Sequence, residues 1–284
     1  MTQLIDGRAL SKKIQLQIKK EVANLAFKPG LAVVLVGEDP ASQVYVNSKE
    51  KACKNVGFYS EKIVLDKNIS QTKLLAVIKK LNNNPKIHGI LVQLPLPKHL
   101  DEKIVIDNIN PVKDVDVFHP YNVGELFLKK QLPKLDDLLA PCTPKGIMRM
   151  LEEYQIELNG KKAVVIGRSN LVGKPIALML LANNATVEIC HSRTKNLTET
   201  CAQADIVIAA IGQANFVKKT MVKKGAVVID VGINRTQEGL VGDVDFAEVK
   251  NLTSYITPVP GGVGPMTIAC LLENTLLLAK KQKQ

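Results

Sequence analysis

The sequence predicts an α/β fold in two domains, the first an α/β domain on a mostly parallel sheet and the second a doubly wound, Rossmann-type domain. Three observations carry that reading. Short apolar runs rich in branched residues, such as Leu31 to Val36 and Ala163 to Ile166, alternate along most of the chain with amphipathic stretches of helical period. The runs are continuously apolar rather than alternating, as strands covered on both faces are. The 284 residues exceed the usual size of one domain, and with 46% of them apolar each half can bury a core.

In chain order, the first helix is expected from about Leu10 to Leu25, with Ile14, Leu16, Ile18, Val22 and Leu25 supplying an apolar stripe and lysines the other face. A strand over Leu31 to Val36 leads to Asp39-Pro40, an N-cap and first-turn proline that open a helix reaching about Asn55. Strand Lys62 to Leu65, helix Ser70 to Asn82, strand Gly89 to Leu94 and a helix from about Leu100 to Asn108 continue the rhythm. Phe118 to Cys142 shows no clear period and many turn formers, which places the domain crossover there: 1–118 in the first domain, 119–265 in the second. Thr143-Pro144 reads as another cap and proline pair, opening a helix through about Tyr154. Further strands are expected over Ala163 to Ile166, Thr186 to Cys190, Ile206 to Ile211 and Ala226 to Val231. Three glycines and three prolines within Pro258 to Thr267 fix a special backbone path, and the last helix, 266–284, packs back on the first domain.

The stretch Lys161 to Pro175 is strand, tight turn and helix, and a helix start offers free N–H groups and the positive end of a dipole to a phosphate. The P-loop fails here, because five residues separate Gly167 from Gly173 and Pro175 follows Lys174 where Ser or Thr should hold magnesium. The dinucleotide fingerprint is imperfect, with Ser169 at the place of the second glycine and Gly173 one place late. An ordinary glycine-bearing turn therefore competes with a dinucleotide site. Downstream, the strand Thr186 to Cys190 opens into His191-Ser192-Arg193, at the distance where a Rossmann unit meets the adenosine ribose. A basic, hydroxyl-bearing strand end suits a 2′-phosphate, so NADP is favoured over NAD; a solvated loop is the plainer alternative.

Tyr45 and Lys49 lie four residues apart, on one helical face and, by this reading, near the helix start. They form either a proton-transfer pair or a surface pair. Gln93 ends its strand just before Pro95-Leu96-Pro97, where an α/β sheet binds ligands. Of Asp114 and Asp116, one is expected to face the ligand and the other to cap backbone.

Five cysteines form an odd set without a Cys-x-x-Cys pair and the four histidines are scattered, so neither a disulfide framework nor a metal site is expected. The formal charge of +11 could serve nucleic acid, but aromatics are 4% and the lysines are spread over helix surfaces. A positive cleft for a small anionic substrate and a merely Lys-rich surface both remain open. No apolar run approaches the ~18 residues that cross a bilayer, and Met1-Thr2-Gln3 lacks the pattern of a secretory signal, so a cytoplasmic protein that meets neither membrane nor nucleic acid is expected.

In their order and separation, Gly37-Glu38-Asp39-Pro40, Tyr45-x-x-x-Lys49, Val92-Gln93-Leu94-Pro95-Leu96-Pro97, Lys113-Asp114-Val115-Asp116, Pro141-Cys142-Thr143-Pro144, Gly167-Arg168-Ser169 and Pro258 to Thr267 resemble the bifunctional methylenetetrahydrofolate dehydrogenase and methenyltetrahydrofolate cyclohydrolase family. The resemblance covers nearly the whole chain. Val117, where the family pattern has Gly, and a shorter loop after Gln93 depart from it. It implies NADP-linked oxidation of methylenetetrahydrofolate and hydrolysis of the methenyl product to formyltetrahydrofolate in one cleft, a homodimer, and a place in one-carbon metabolism and purine biosynthesis. It also implies Lys49 as the principal catalytic residue, Gln93 holding it, Tyr45 bordering the folate and Asp116 binding the pterin. Gly167, Arg168, Ser169 and Ser192 would meet the phosphate-bearing half of NADP, and Ile233 its nicotinamide side. Two rivals stand beside this reading: an NADP-dependent dehydrogenase of another small acid, and a non-catalytic nucleotide-sensing regulator.

Overall fold

The computed structural model describes residues 2–237 and 239–283. In chain order the elements are β1 (Gln3–Leu4), α1 (Gly7–Ala23), β2 (Gly30–Val36), α2 (Pro40–Val56), β3 (Tyr59–Leu65), α3 (Gln71–Asn82), β4 (Gly89–Val92), α4 (Glu102–Asp107), α5 (Pro120–Phe127) and α6 (Cys142–Glu153). They continue with β5 (Lys162–Ile166), α7 (Gly173–Leu181), β6 (Thr186–Cys190), α8 (Leu197–Ala202), β7 (Ile206–Ala209), β8 (Val227–Asp230), β9 (Asn234–Thr236), β10 (Gly239–Val241), α9 (Phe246–Val249), β11 (Tyr255–Ile256) and α10 (Val263–Lys281).

The chain packs as two compact units. One holds 13–128, 136–142 and 268–284 around the parallel sheet β3-β2-β4. Every residue of β2 is buried, as its unbroken apolar run requires. Leu74, Ile78 and Leu81, at helical spacing along α3, close one face of that sheet. The N-cap is the one the sequence announces, Asp39 Oδ2 accepting the Ser42 N–H at 2.8 Å, and Gly57, at φ 86°, ends α2 in the left-handed conformation. The part of α10 beyond residue 267 packs into this unit, where Asn274 Nδ2 donates to the carbonyls of Val115 (2.9 Å) and Ala140 (2.8 Å) and Lys280 pairs with Glu21.

The other unit holds 1–12, 129–135 and 143–267 around the sheet β1-β11-β8-β7-β5-β6, parallel throughout. Numbering β5, β6, β7, β8 and β11 as 1 to 5, the order is 2-1-3-4-5, a doubly wound arrangement whose switch point lies between β5 and β7.

Several details differ from the sequence reading. α1 begins at Gly7, the stretch read as irregular contains α5, and β9 and β10 form a hairpin without a pattern of their own. α6 begins at Cys142, so Pro144 is its third residue rather than its first. α10 begins at Val263, inside the Gly/Pro-rich segment, because Pro265 falls in the first turn, where a missing N–H costs nothing. Residue 284, to which that helix was extended, lies outside the described residues.

Candidate active site

The first group of side chains assembles on α2, the exit of β4 and the segment after Asp114. Lys49 is the tenth residue of the 17-residue α2, not near its start, so the helix dipole does not act on it as the sequence suggested. Its surroundings do: Lys49 is 9% exposed and its Nζ donates to Gln93 Oε1 at 3.0 Å. Gln93, the first residue past β4, is fixed at both ends, its backbone N–H donating to Val34 O (2.8 Å) and its Nε2 to Leu94 O (2.7 Å). With the amide nitrogen engaged, the amide oxygen points at Lys49. Tyr45, one turn away, is 37% exposed, and partial burial raises its phenol above the usual range.

The two aspartates divide as the alternatives allowed. Asp114, 2% exposed, takes the backbone: Oδ1 accepts the N–H groups of Val117 (3.0 Å) and Phe118 (3.3 Å), and Oδ2 accepts His119 N–H (2.9 Å) and Asn122 Nδ2 (2.9 Å). Burial pushes the Asp116 carboxyl up to about 6, against the opposing pull of the Lys49 charge, and Cys142 Sγ lies 3.6 Å from its Oδ1. An amine held by a fixed amide, a phenol one turn away and a carboxyl with a raised pKa can together bind a polar heterocycle and handle a proton. Cys142 stands in the sequence only within a motif of the resemblance and Asn274, which bonds its sulfur at 3.6 Å, in none, so the sequence assigns neither a place in the site.

The second group lies at the carboxyl edge of the six-stranded sheet. Gly167 leaves β5 at φ 124°, and a Cβ there would collide with the Ala210 carbonyl; one on Gly173 would collide with the Gly167 carbonyl. Both glycines are thus required by close backbone approach, the physical content of the fingerprint despite its altered spacing. Ser169 Oγ accepts the N–H groups of Val172 (3.1 Å) and Gly173 (3.2 Å), so the side chain that replaces the second glycine pins the turn to the start of α7. Ile166 pairs with Cys190, which brings the exits of β5 and β6 side by side; Arg168 on one, and Ser192 and Arg193 on the other, are exposed. His191 serves its own turn, its N–H donating to Thr194 Oγ1 and its Nδ1 accepting the Arg193 N–H. Ile233, past β8, is 44% exposed and faces Gly264 at the start of α10, where a Cβ would approach its Cδ1 to 3.4 Å.

Residues 5–116 match the model of the tetrahydrofolate dehydrogenase/cyclohydrolase catalytic domain, and residues 141–283 match that of the family's NAD(P)-binding domain. The chain belongs to the tetrahydrofolate dehydrogenase/cyclohydrolase family. It is 56% identical to the bifunctional protein FolD of Geotalea uraniireducens over 286 residues, covering 99% of this chain and 100% of that protein. The crystal structure of the bifunctional FolD enzyme of Campylobacter jejuni superposes with a TM-score of 0.95 at 51% identity, covering 99% of this chain and 100% of that one. That of the Trypanosoma brucei enzyme, complexed with NADP and an inhibitor, has a TM-score of 0.94 at 38% identity, covering 100% and 99%.

The NAD(P)-binding domain of the family has a physical counterpart in this chain. The tight turn that Gly167 and Gly173 allow at the start of α7, the exposed cations and hydroxyl at the β5 and β6 exits, and an apolar Ile233 past β8 fit the polyphosphate, the adenosine end and the nicotinamide ring of a dinucleotide respectively. Among the described residues, no group of three or more His, Cys, Asp and Glu is placed to hold a metal ion. No helix of the described chain is long and apolar enough to cross a membrane.

Proposed function

We infer that this chain is a bifunctional one-carbon folate enzyme. It oxidises methylenetetrahydrofolate to methenyltetrahydrofolate with NADP+ and hydrolyses the product to formyltetrahydrofolate. The observation that carries this is the part-buried Lys49–Gln93 hydrogen bond beside Asp116 in a chain that matches bifunctional FolD proteins from end to end. Neither rival reading needs a buried amine held by an amide.

NADP+ supplies the acceptor for the hydride that leaves the methylene carbon. The folate nitrogens stabilise the cation that forms, so the protein's part in that step is positioning. Asp116 binds the pterin through its amino and ring N–H donors, and Tyr45 borders the folate. Adding water to the methenyl carbon releases a proton, and Lys49 Nζ, aimed by Gln93, is the group we assign to handle it. Arg168 and Ser192 are assigned to the 2′-phosphate, Gly167 and Ser169 to the phosphate-bearing half, and Ile233 to the nicotinamide side. The functional division we assign is 1–118 with 266–284 for folate chemistry and 119–265 for the dinucleotide; the family matches over 5–116 and 141–283 support the two halves, and the packing of 268–284 with 13–128 supports the return of the last helix.

We assign the enzyme to the cytoplasm and to the one-carbon supply of purine biosynthesis, and propose that it works as a homodimer. Supporting the dimer, edge strand β6 exposes Thr186, Glu188 and Ile189, although parallel strands are ordinarily covered on both faces. The test of function follows methenyl absorbance and nicotinamide reduction with methylenetetrahydrofolate and each cofactor, then decay of supplied methenyltetrahydrofolate. NADP-dependent oxidation without hydrolysis would favour the monofunctional rival, and NADPH binding without folate turnover the regulator.

A further inference from the structure

Two buried carboxylates at the carboxyl edge of the six-stranded sheet have no part in the chemistry assigned above. Asp230 is the last residue of β8 and Asp243 lies two residues past β10; they are 3% and 0% exposed. Asp243 accepts four hydrogen bonds. Its Oδ2 receives the N–H groups of Ile211 (2.7 Å) and Gly212 (3.0 Å), and its Oδ1 receives Gln213 N–H (2.9 Å) and Asn234 Nδ2 (2.9 Å). Three of the donors belong to the loop leaving β7 and the fourth opens β9.

Asp230 in turn fixes Asp243. Its Oδ1 accepts the N–H groups of Gly232 (3.0 Å) and Asp243 itself (2.8 Å), and its Oδ2 accepts that of Val244 (2.9 Å). The packing leaves no slack: a Cβ on Gly232 would strike the Asp243 carboxylate, and one on Gly242 the Asp230 carboxylate. Burying two acids this close is costly, and burial together with the neighbouring Asp243 charge pushes Asp230 up to about 6 despite its backbone donors. A turn needs no such cost. The loops so fixed carry Gly212 and Ile233, at the sheet edge where doubly wound folds bind their ligands.

We propose that Asp243, seated on Asp230, is a positioning residue that holds the exit loops of β7 and β8 in the conformation that receives the nicotinamide half of the cofactor. The proposal rests on the dehydrogenase reading only in its identification of that half.

Asp243→Asn tests it, because an amide has one acceptor oxygen, so two of the four donors would face its NH2. In the full-length enzyme, KM for NADP+ and Kd for NADPH should rise about tenfold or more, as for the loss of hydrogen bonds to a charged group. Hydrolysis of supplied methenyltetrahydrofolate, measured without dinucleotide, should stay within about twofold of the unmodified enzyme, which a general loss of stability would not allow. Unchanged KM and Kd, or equal loss of both activities in soluble protein, overturns the proposal. Should Asp243→Asn not fold, Asn234→Ala removes the β9 tie alone; a rise of about threefold in KM for NADP+ is expected, about the effect of one weak hydrogen bond, and no rise overturns the proposal. An unmodified enzyme that binds NADPH but lacks folate oxidation would instead refute the function assigned above, while the effect of Asp243→Asn on Kd would still decide the positioning role.

Discussion

Asp114→Asn should cost this chain more stability than its single atom suggests. The Asp114 carboxylate serves four donors, two on each oxygen, and the asparagine amide keeps only one oxygen. If the new NH2 lies on the Oδ1 side, two fixed backbone N–H groups, Val117 and Phe118, lose their acceptor. If it lies on the Oδ2 side, His119 N–H loses its acceptor, and Asn122 must turn its amide and give up its 2.9 Å bond to the Pro111 carbonyl. The second arrangement is the cheaper. One buried unpaired N–H at about 1–3 kcal/mol and one lost hydrogen bond at about 1 kcal/mol sum to about 2–4 kcal/mol. For a chain of this size that lowers the unfolding midpoint by about 3–7 °C, read by scanning calorimetry. Asp116 lies on the same segment, so KM for folate should rise while NADPH affinity holds. A loss under about 1 kcal/mol would mean that these four donors find water as easily as the carboxylate, and the account of this segment would fall.

Lys49→Met should abolish hydrolysis and leave measurable oxidation; equal loss of both with NADPH binding intact would count against Lys49 as the proton-handling group. Replacing Arg168 and Ser192 together with Ala should weaken NADP+ far more than NAD+, and an unchanged ratio of the two affinities would refute the assignment of the 2′-phosphate. Asp116 must be ionised to accept the pterin N–H groups, so with its carboxyl raised to about 6, KM for folate should climb as pH falls through that value and flatten in Asp116→Asn. The same raised pKa means that the folded chain binds more protons than the unfolded one between pH 3.8 and about 6, so this group's contribution to stability falls as pH rises across that window. Val117, fully buried, sits at φ 60°, where a β-branched residue is strained; Val117→Gly should therefore be more stable than Val117→Ala by about 1 kcal/mol, reversing the usual order of the two in chemical denaturation.

The strands were legible because burial on both faces leaves one kind of sequence: β2 and β7 are unbroken apolar runs, β8 is one as far as its last residue, Asp230, and every residue in the three is buried. The cap at Asp39 was legible because it is a local bond to a residue three places on. α5 was not, since only Asn122 and Leu126 face inward and Gly124 interrupts the helical signal, so its period is lost among exposed Tyr121 and Phe127.

The sites follow the same division. Gln93 could be found, because a polar residue ending a buried strand before Pro95 has a position that means something in any parallel sheet. Placing Lys49 near a helix start gave the wrong physics for a residue that nevertheless belongs with Gln93: what holds its amine is an oxygen 44 residues away, not the dipole of its own helix. Asp243 is the extreme case. Its donors come from 30 to 32 residues earlier in Ile211, Gly212 and Gln213, and from nine earlier in Asn234, so no window of sequence contains the reason it is there. The one local trace is steric: Gly232 and Gly242 each abut a carboxylate that leaves no room for a Cβ, and two glycines flanking a hairpin read as turn formers until the acids between their loops are seen.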